Sequence, residues 1–412
     1  MSTLPSFLEA RQIVLEHART LKPRDIEVLE LIASSGYVLA EAITADRDFP
    51  PFDRATRDGY AVRAAEVSKV PARLEVTGEI RAGAKPSESA CPLNPGEAVE
   101  IMTGAPLPPQ ADAVVMVEHT ERDDEFVTIQ RSAAKGENVV PRGSEARSST
   151  VLLRSGTKLG PEQIAVAAAT GHSTVRVFQP PRVAVLSTGD EVVDVAATPG
   201  PNEIRNSNAY ALAAQIEAAG GSAVVLPIAP DEPEQLGKLV QEGLASDLFL
   251  LSGGVSMGKH DLVEVALTKL GAEFFFTGAE IQPGRPIVFG RAPRTIDKPQ
   301  KTYFLGLPGN PISTMVCFEL FARVMVEALA GSQPARLGTA MARLSEDVRV
   351  KIGLTRFLPA VISSELDQAQ VALVKWQGSG DLVAAARGNC WLIVPPDRDL
   401  LQAGEIVSVL FR

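Results

Sequence analysis

Between residues 182 and 331 the chain repeats one texture: a short apolar run, a loop rich in Gly, Pro and Asp, and then a stretch with helical spacing. The runs sit in "RVAVLSTGDE", "SAVVLPIAPDEP", "LFLLSGGVSMG" and "TYFLGLPGNP". The helical patterns are "NAYALAAQIEAAG", "EPEQLGKLVQEGLA", "LVEVALTKLG" and "STMVCFELFARVMVEALAG". Strands alternating with helices make a parallel sheet covered on both faces. In such a sheet every strand-to-helix loop leaves from the same carboxyl edge, where ligands bind. An α/β domain is therefore expected over 179–330, with four loops rich in glycine and acid converging at one edge.

The flanks differ in pattern. Over 5–43 the spacing predicts helix, with "SFLEARQIVLEHA" carrying apolar residues at helical spacing and Ser6 placed to cap it. This piece is too small to fold alone, and the helical "GPEQIAVAAATG" later in the chain offers it a partner. A helical domain is thus expected from 1–48 with 142–178. Between them "ARLEVTGEI", "GEAVEIMTG", "DAVVMVEHT" and "EFVTIQR" are short strands separated by turn residues, a β-rich domain over 49–141. After residue 331 "LSEDVRVKIG", "RFLPAVIS", "ALVKW", "WLIVP" and "EIVSVLF" predict a small all-β domain over 331–412. The fold class is multidomain α/β plus β, and 412 residues agree with several domains.

Composition excludes several functions. The net charge is −10 with no Lys/Arg-rich run, which argues against a nucleic-acid footprint. No apolar run approaches the roughly 18 residues that span a bilayer, and the first 20 residues are mixed and charged, unlike a signal peptide. Cys91, Cys317 and Cys390 lie far apart, which argues against a disulfide framework or a structural zinc site. The expected compartment is the cytoplasm.

The loop "LSGGVSMGKHD" carries a conflict of charge. Gly253, Gly254 and Gly258 let successive N–H groups point into one concavity, Ser252 and Ser256 add hydroxyl donors, and a helix begins at Leu262. Such nests and helix N-termini favour anions. The loop nevertheless ends in Asp261. Asp190 and Glu191 of "LSTGDEVVD" stand at the carboxyl edge of another strand, where a helix cap and first-turn acid is the commoner explanation, and Asp231 follows the next strand. Several carboxylates around one anion cradle suggest a hard cation between them, and Mg²⁺ typically takes one or two carboxylates plus substrate phosphates. His260 is a polar loop residue rather than a ligand. In "GLPGNPISTM", Gly309 allows positive φ, Pro311 starts a helix and Ser313 lies in its first turn. That segment is either a helix-entry turn or a second substrate-facing turn.

With these loops collected, the chain resembles the molybdopterin molybdenumtransferase family over nearly all its length. The resemblance rests on "FDRATRDGYAV", "IMTGAPLPPQADAVV", "STGDEVV" with "IRNSNAYAL", "SGGVSMGKHD", "PGRP" and "GLPGNPISTMVCFE", in that order. It implies an elongated homodimer of four-domain subunits: a helical stalk, a β domain, an α/β pterin-binding domain and a C-terminal β-barrel. The cleft then lies between the α/β domain and the second domain of the partner. The implied reaction inserts molybdate into adenylylated molybdopterin and releases AMP with Mg²⁺ present; other molybdenum cofactor biosynthesis proteins are implied partners. Asp58, Thr103, Glu191, Asp231 and Asp261 fall on functional positions, as does Glu145 where aspartate is usual. Glu191, Asp231 and Asp261 are the implied metal ligands. Substrate binding is expected at Ser187, Gly189, Ser252, Gly253, Gly254, Ser256, Gly258, Lys259, Arg285, Pro308, Gly309, Asn310, Ser313 and Ser379. Two departures stand out. Gly278, Glu280 and Gln282 occupy a stretch where the family often has lysines, leaving Arg285 or Lys259 to supply charge for molybdate. Pro359 stands where an arginine is common, with Arg356 nearby. A pterin-binding scaffold and a nucleotide pyrophosphate hydrolase are the alternative readings.

Overall fold

The computed structural model describes residues 4–85, 89, 91–254, 262–295, 298–333 and 336–412. At its centre is a six-stranded sheet in the order Ser222–Val225, Arg182–Ser187, Leu248–Ser252, Lys298–Leu307, Val288–Thr295, Glu273–Phe276. The first four strands are parallel, as the alternation of strand and helix predicts. Val288–Thr295 runs antiparallel to both of its neighbours, Lys298–Leu307 and Glu273–Phe276. The physical reason is the link: only residues 296 and 297 separate Val288–Thr295 from Lys298–Leu307, far too few for the crossover a parallel pair requires.

Both faces of the sheet are covered. On one face Leu236, Val240 and Leu244 of Pro233–Leu244 and Val263 and Leu267 of Leu262–Lys269 pack on Ala184, Leu186, Phe249 and Leu251. The other face carries Ser207–Ala218 and a long helical run of three parts, Pro311–Cys317, a π turn Phe318–Ala322 and Arg323–Leu329. That run is buried nearly all round, as its continuous apolar sequence requires. Its most buried charged member Glu319, 5% exposed, is paired with Arg323 of the same run (Nη2 to Oε1 3.0 Å) and accepts from Gln215 Nε2 at 2.6 Å. The π turn loosens the backbone hydrogen-bond ladder, and the Leu320 carbonyl accepts from Arg11 Nη1.

Arg11 belongs to the N-terminal helix Phe7–Ala18, which starts at the expected cap: Ser6 and Glu9 form a reciprocal capping box. The helix ends at Ala18, well short of Ile43. Pro23 cannot continue it, and Ile26–Glu30 is a strand with alternating burial. The expectation that 1–48 forms one unit with 142–178 is corrected for this first helix. Phe7, Ala10, Val14 and Ala18 are buried in the α/β core, and the Phe7 ring meets Phe321 at 6.2 Å and Phe357 of the C-terminal domain at 5.2 Å. The return pairing begins only after it. Ile26–Glu30 pairs antiparallel with Thr174–Phe178, and Ile43–Thr44 with Val151–Leu153. The helix Pro161–Ala169 adds Ala167 to a core of Leu39, Ile43, Leu159, Val175 and Val177.

The β-rich domain is a six-stranded sheet containing all four expected runs, as Ala72–Ile80, Glu97–Ile101, Ala113–Met116 and Phe126–Ile129. In the C-terminal domain Thr355–Ser363, Gln370–Leu373, Thr339–Leu344, Ile406–Phe411 and Cys390–Val394 form a ring closed by the pairing of the last with the first, a five-stranded barrel. Ile281–Gln282 joins it in parallel with Thr355–Arg356, so the α/β and barrel domains share a strand contact. Among the described residues no helix is long and apolar enough to cross a membrane.

Candidate active site

Strand order defines where a ligand can sit. The chain leaves Arg182–Ser187 to one side for Ser222–Val225, then returns to its other side for Leu248–Ser252. The loops after Ser187 and Ser252 therefore part, opening a crevice at the carboxyl edge. A cleft of about 680 Å³ lies there. Of the expected site residues, Ser187, Glu191, Ser252, Gly253, Gly254, Pro308, Gly309 and Asn310 line it.

The glycine turn is shaped by backbone sterics. Gly253 and Gly254 take φ of +90° and +60°. A Cβ on Gly253 would stand 2.8 Å from the Thr188 carbonyl oxygen, and one on Gly254 2.7 Å from Thr188 Oγ1. Both positions thus need glycine for conformation and for space. The Thr188 hydroxyl is buried beneath the turn and has no hydrogen-bond partner among the described residues. Gly309 differs from expectation. It adopts no positive φ, and a methyl there would meet Gly253 Cα at an ordinary 3.6 Å. Pro311 does open the helix, at its first position.

The acids are distributed unequally. Glu191 lines the cleft and folds back over Gly189, whose φ is +126°. Asp231 is drawn to the same edge, because Thr188 and Ala229 form a parallel bridge and the Asp231 N–H donates to Asp190 Oδ1 at 2.9 Å. Asp231 itself does not line the cleft. Ser256, Gly258, Lys259, His260 and Asp261 lie outside the described residues. Among the described residues no three His, Cys, Asp or Glu side chains converge to hold a metal.

The barrel domain closes one wall, with Gly380 and Leu382 in the lining. Ser379 is the junction: its Oγ accepts from Asn310 Nδ2 at 3.0 Å and its carbonyl from Ile312 N at 3.0 Å. Ser313 is buried in the first turn of the adjoining helix. Arg285 is exposed beside the cleft residue Pro286. Gln282, one departure from the family pattern, is in register with Arg356, three positions before the second departure at Pro359. Arg356 is mostly buried, donates to the Leu354 carbonyl at 3.1 Å, and desolvation lowers its pKa.

Asp58, Thr103 and Glu145 lie in another part of the molecule and do not line this cleft. Asp58 Oδ1 accepts from the Thr103 N–H at 2.7 Å and from Thr103 Oγ1 at 2.8 Å. The backbone bond first, then the hydroxyl, hold its pKa below the ordinary carboxylate value. Stability from a depressed carboxylate is present above its unfolded pKa and is lost as pH falls through the folded one. Thr103→Val keeps the N–H and removes the hydroxyl, so the titration of Asp58 is expected to move up toward the ordinary range. Carboxyl-carbon NMR across acid pH measures this; an unmoved midpoint would show that the hydroxyl contributes nothing. Glu145 pairs with Arg54 at 3.0 Å in a half-exposed contact that water screens.

Sequence reasoning missed Arg205, Asn206 and Asn208, all of which line the cleft. Their signal was present in "IRNSNAYAL", where an asparagine precedes a helical pattern: Asn206 is its cap, accepting from Ala209 N. The side chain of Arg205 is held by Nε to the Ala197 carbonyl at 3.0 Å and is the one Lys or Arg among the described residues that line the cleft.

A switch-point cleft in an α/β domain, walled by a C-terminal barrel and joined to a separate β domain, defines a multidomain ligand-binding protein. Residues 5–171 match the MoeA N-terminal region (domain I and II), 184–328 the probable molybdopterin binding domain and 341–411 the MoeA C-terminal region (domain IV). A molybdopterin molybdenumtransferase of a Nostoc species is 36% identical over 334 residues, covering 80% of this chain and 75% of that one. The Bacillus subtilis protein of the same name is 33% identical, with 94% and 90% covered. A molybdopterin biosynthesis MoeA protein of Pyrococcus horikoshii has a solved structure that superposes with a TM-score of 0.72 at 31% identity, covering 99% of both chains. The chain belongs to the molybdopterin molybdenumtransferase family, and it acts as an enzyme of molybdenum cofactor biosynthesis by molybdenum insertion.

Proposed function

We propose that the substrate is adenylylated molybdopterin, that molybdate enters at its dithiolene, and that AMP is released. The observation that supports this most is the pair of positive-φ glycines at the switch point, which gives the cleft a backbone anion cradle beside the carboxylate of Glu191. A substrate carrying a pyrophosphate needs both. Among the described residues the metal-binding donors at this edge are oxygens, which suits a hard dication such as Mg²⁺, resting on one or two carboxylates and the phosphates themselves. Glu191 and Asp231 would hold it, together with Asp261. Bound there, the ion would neutralise charge on the phosphates. Ser252, the glycine turn and Asn310 bind and orient, and Ser379 braces Asn310 from the barrel.

The purified chain incubated with adenylylated molybdopterin, molybdate and Mg²⁺ should release AMP and form cofactor. Tight pterin binding without turnover would instead favour a scaffold role, and faster cleavage of NAD-like compounds a pyrophosphate hydrolase.

The active unit on this reading is a cytoplasmic homodimer, working beside other proteins of cofactor synthesis. Supporting it, Asp58 and Thr103 are arranged as a site yet stand apart from the cleft of their own chain. A two-fold dimer lets one chain's β domain complete its partner's cleft. Asp58→Ala and Glu191→Ala are each expected to be inactive, but unfolded and refolded together they should recover about a quarter of the activity, since half the dimers then hold one intact site. No recovery in the mixture would place Asp58 and Glu191 in the same chain's site or outside it.

A further inference from the structure

One turn ties together the three strand ends that frame the cleft, and it contains none of the expected site residues. Asn206 and Asn208 flank the start of helix Ser207–Ala218. Asn206 Oδ1 accepts from Ser187 Oγ at 3.0 Å and from the Ala209 N–H at 3.2 Å. Asn208 Nδ2 donates to Ser252 Oγ at 2.8 Å and to the Gly309 carbonyl at 2.7 Å. The Gly309 carbonyl can only accept, so the nitrogen of the Asn208 amide must face it, and this contact alone settles which way the amide points.

The polarity of Ser252 follows. Both hydrogens of the Asn208 amide are used, and one of them occupies a lone pair of Ser252 Oγ. Among the described residues no acceptor takes the Ser252 hydroxyl proton, and Ser252, 3% exposed, lines the cleft at the base of the glycine turn. Among the described residues, then, the proton is left for a ligand. The Gly309 carbonyl, which would repel an anion, is occupied by the same amide.

We propose that Asn208 is a positioning residue for anion recognition: it presents the Ser252 hydroxyl as a donor to a phosphoryl oxygen of the pterin substrate and keeps the Gly309 carbonyl engaged. This rests on the reading that the cleft takes the substrate's phosphates. A buried hydroxyl next to an amide can point either way; here the amide decides.

The test is a double-mutant cycle on the full chain, with molybdopterin as the probe and quenching of its fluorescence as the readout. Ser252→Ala and Asn208→Ala are each expected to weaken binding about 10-fold, the size of one hydrogen bond to a charged group. The double variant should bind no worse than the weaker single one, because Asn208 acts through Ser252. Asn208→Asp, isosteric but unable to donate, should be the weakest binder, since a carboxylate there takes the serine proton inward. Turnover at saturating substrate should fall much less than binding. Losses that multiply in the double variant, or wild-type binding by Asn208→Ala, would overturn the proposal while leaving the cleft reading intact. Wild-type binding by Ser252→Ala would overturn both. Should Asn208→Ala fail to fold, Asn208→Ser, too short to reach both partners, takes its place in the same cycle and must give the same non-additivity.

Discussion

Gly253→Ala is expected to lower molybdenum insertion at least about 100-fold, the loss that a displacement near 1 Å can cause at a positioned site. The added methyl would stand 2.8 Å from the Thr188 carbonyl oxygen on a backbone at φ +90°. Relief requires the turn to move, and the turn is the cleft floor. The strain should also cost about 1–3 kcal/mol of stability, read by denaturant titration. Gly237 supplies the control: it lies in the helix Pro233–Leu244 with nothing within 4 Å of a built Cβ. Gly237→Ala should leave activity unchanged and raise stability by about 0.5–1 kcal/mol, because alanine loses less entropy in a helix than glycine. If both variants behave alike, the special backbone at Gly253 has no functional weight.

Phe7→Ala carries the largest expected effect on stability, about 3–5 kcal/mol for an aromatic side chain deleted from a packed core. Phe7 bridges three parts of the chain, since its ring touches Phe321 of the π turn and Phe357 of the barrel. The neighbouring Leu8, 72% exposed, is expected to change stability by no more than about 0.5 kcal/mol when cut to alanine. Chemical unfolding of both variants separates a helix that is integral to the core from one that merely lies on it. A small loss at Phe7 would mean that the helix contributes little beyond its own length.

Much of the architecture was legible because local pattern and global fold agree. The runs ending at Ser187, Ser252 and Leu307 are central strands and are buried almost throughout, as continuous apolar segments between helices must be. Ser6 capped the helix its spacing announced. The antiparallel strand Glu273–Phe276 was not legible, because "FFF" carries no direction. Nor was the home of the first helix: an amphipathic face announces that something covers it and does not say what.

The site divides in the same way. Glycine at 253 and 254 and proline at 311 are demands of the backbone, and the order of the family motifs is written along the chain, so residues alone settled the family and the class of chemistry. Tertiary structure decided which of those residues meet. Asn208 stands 44 positions from Ser252 and 101 from Gly309, yet one amide holds both. It also separated Asp58 and Thr103 from the cleft of their own chain and set Gln282 in register with Arg356. Such neighbours follow from strand order, and strand order follows from how the whole core is buried, a quantity that no local stretch of sequence contains.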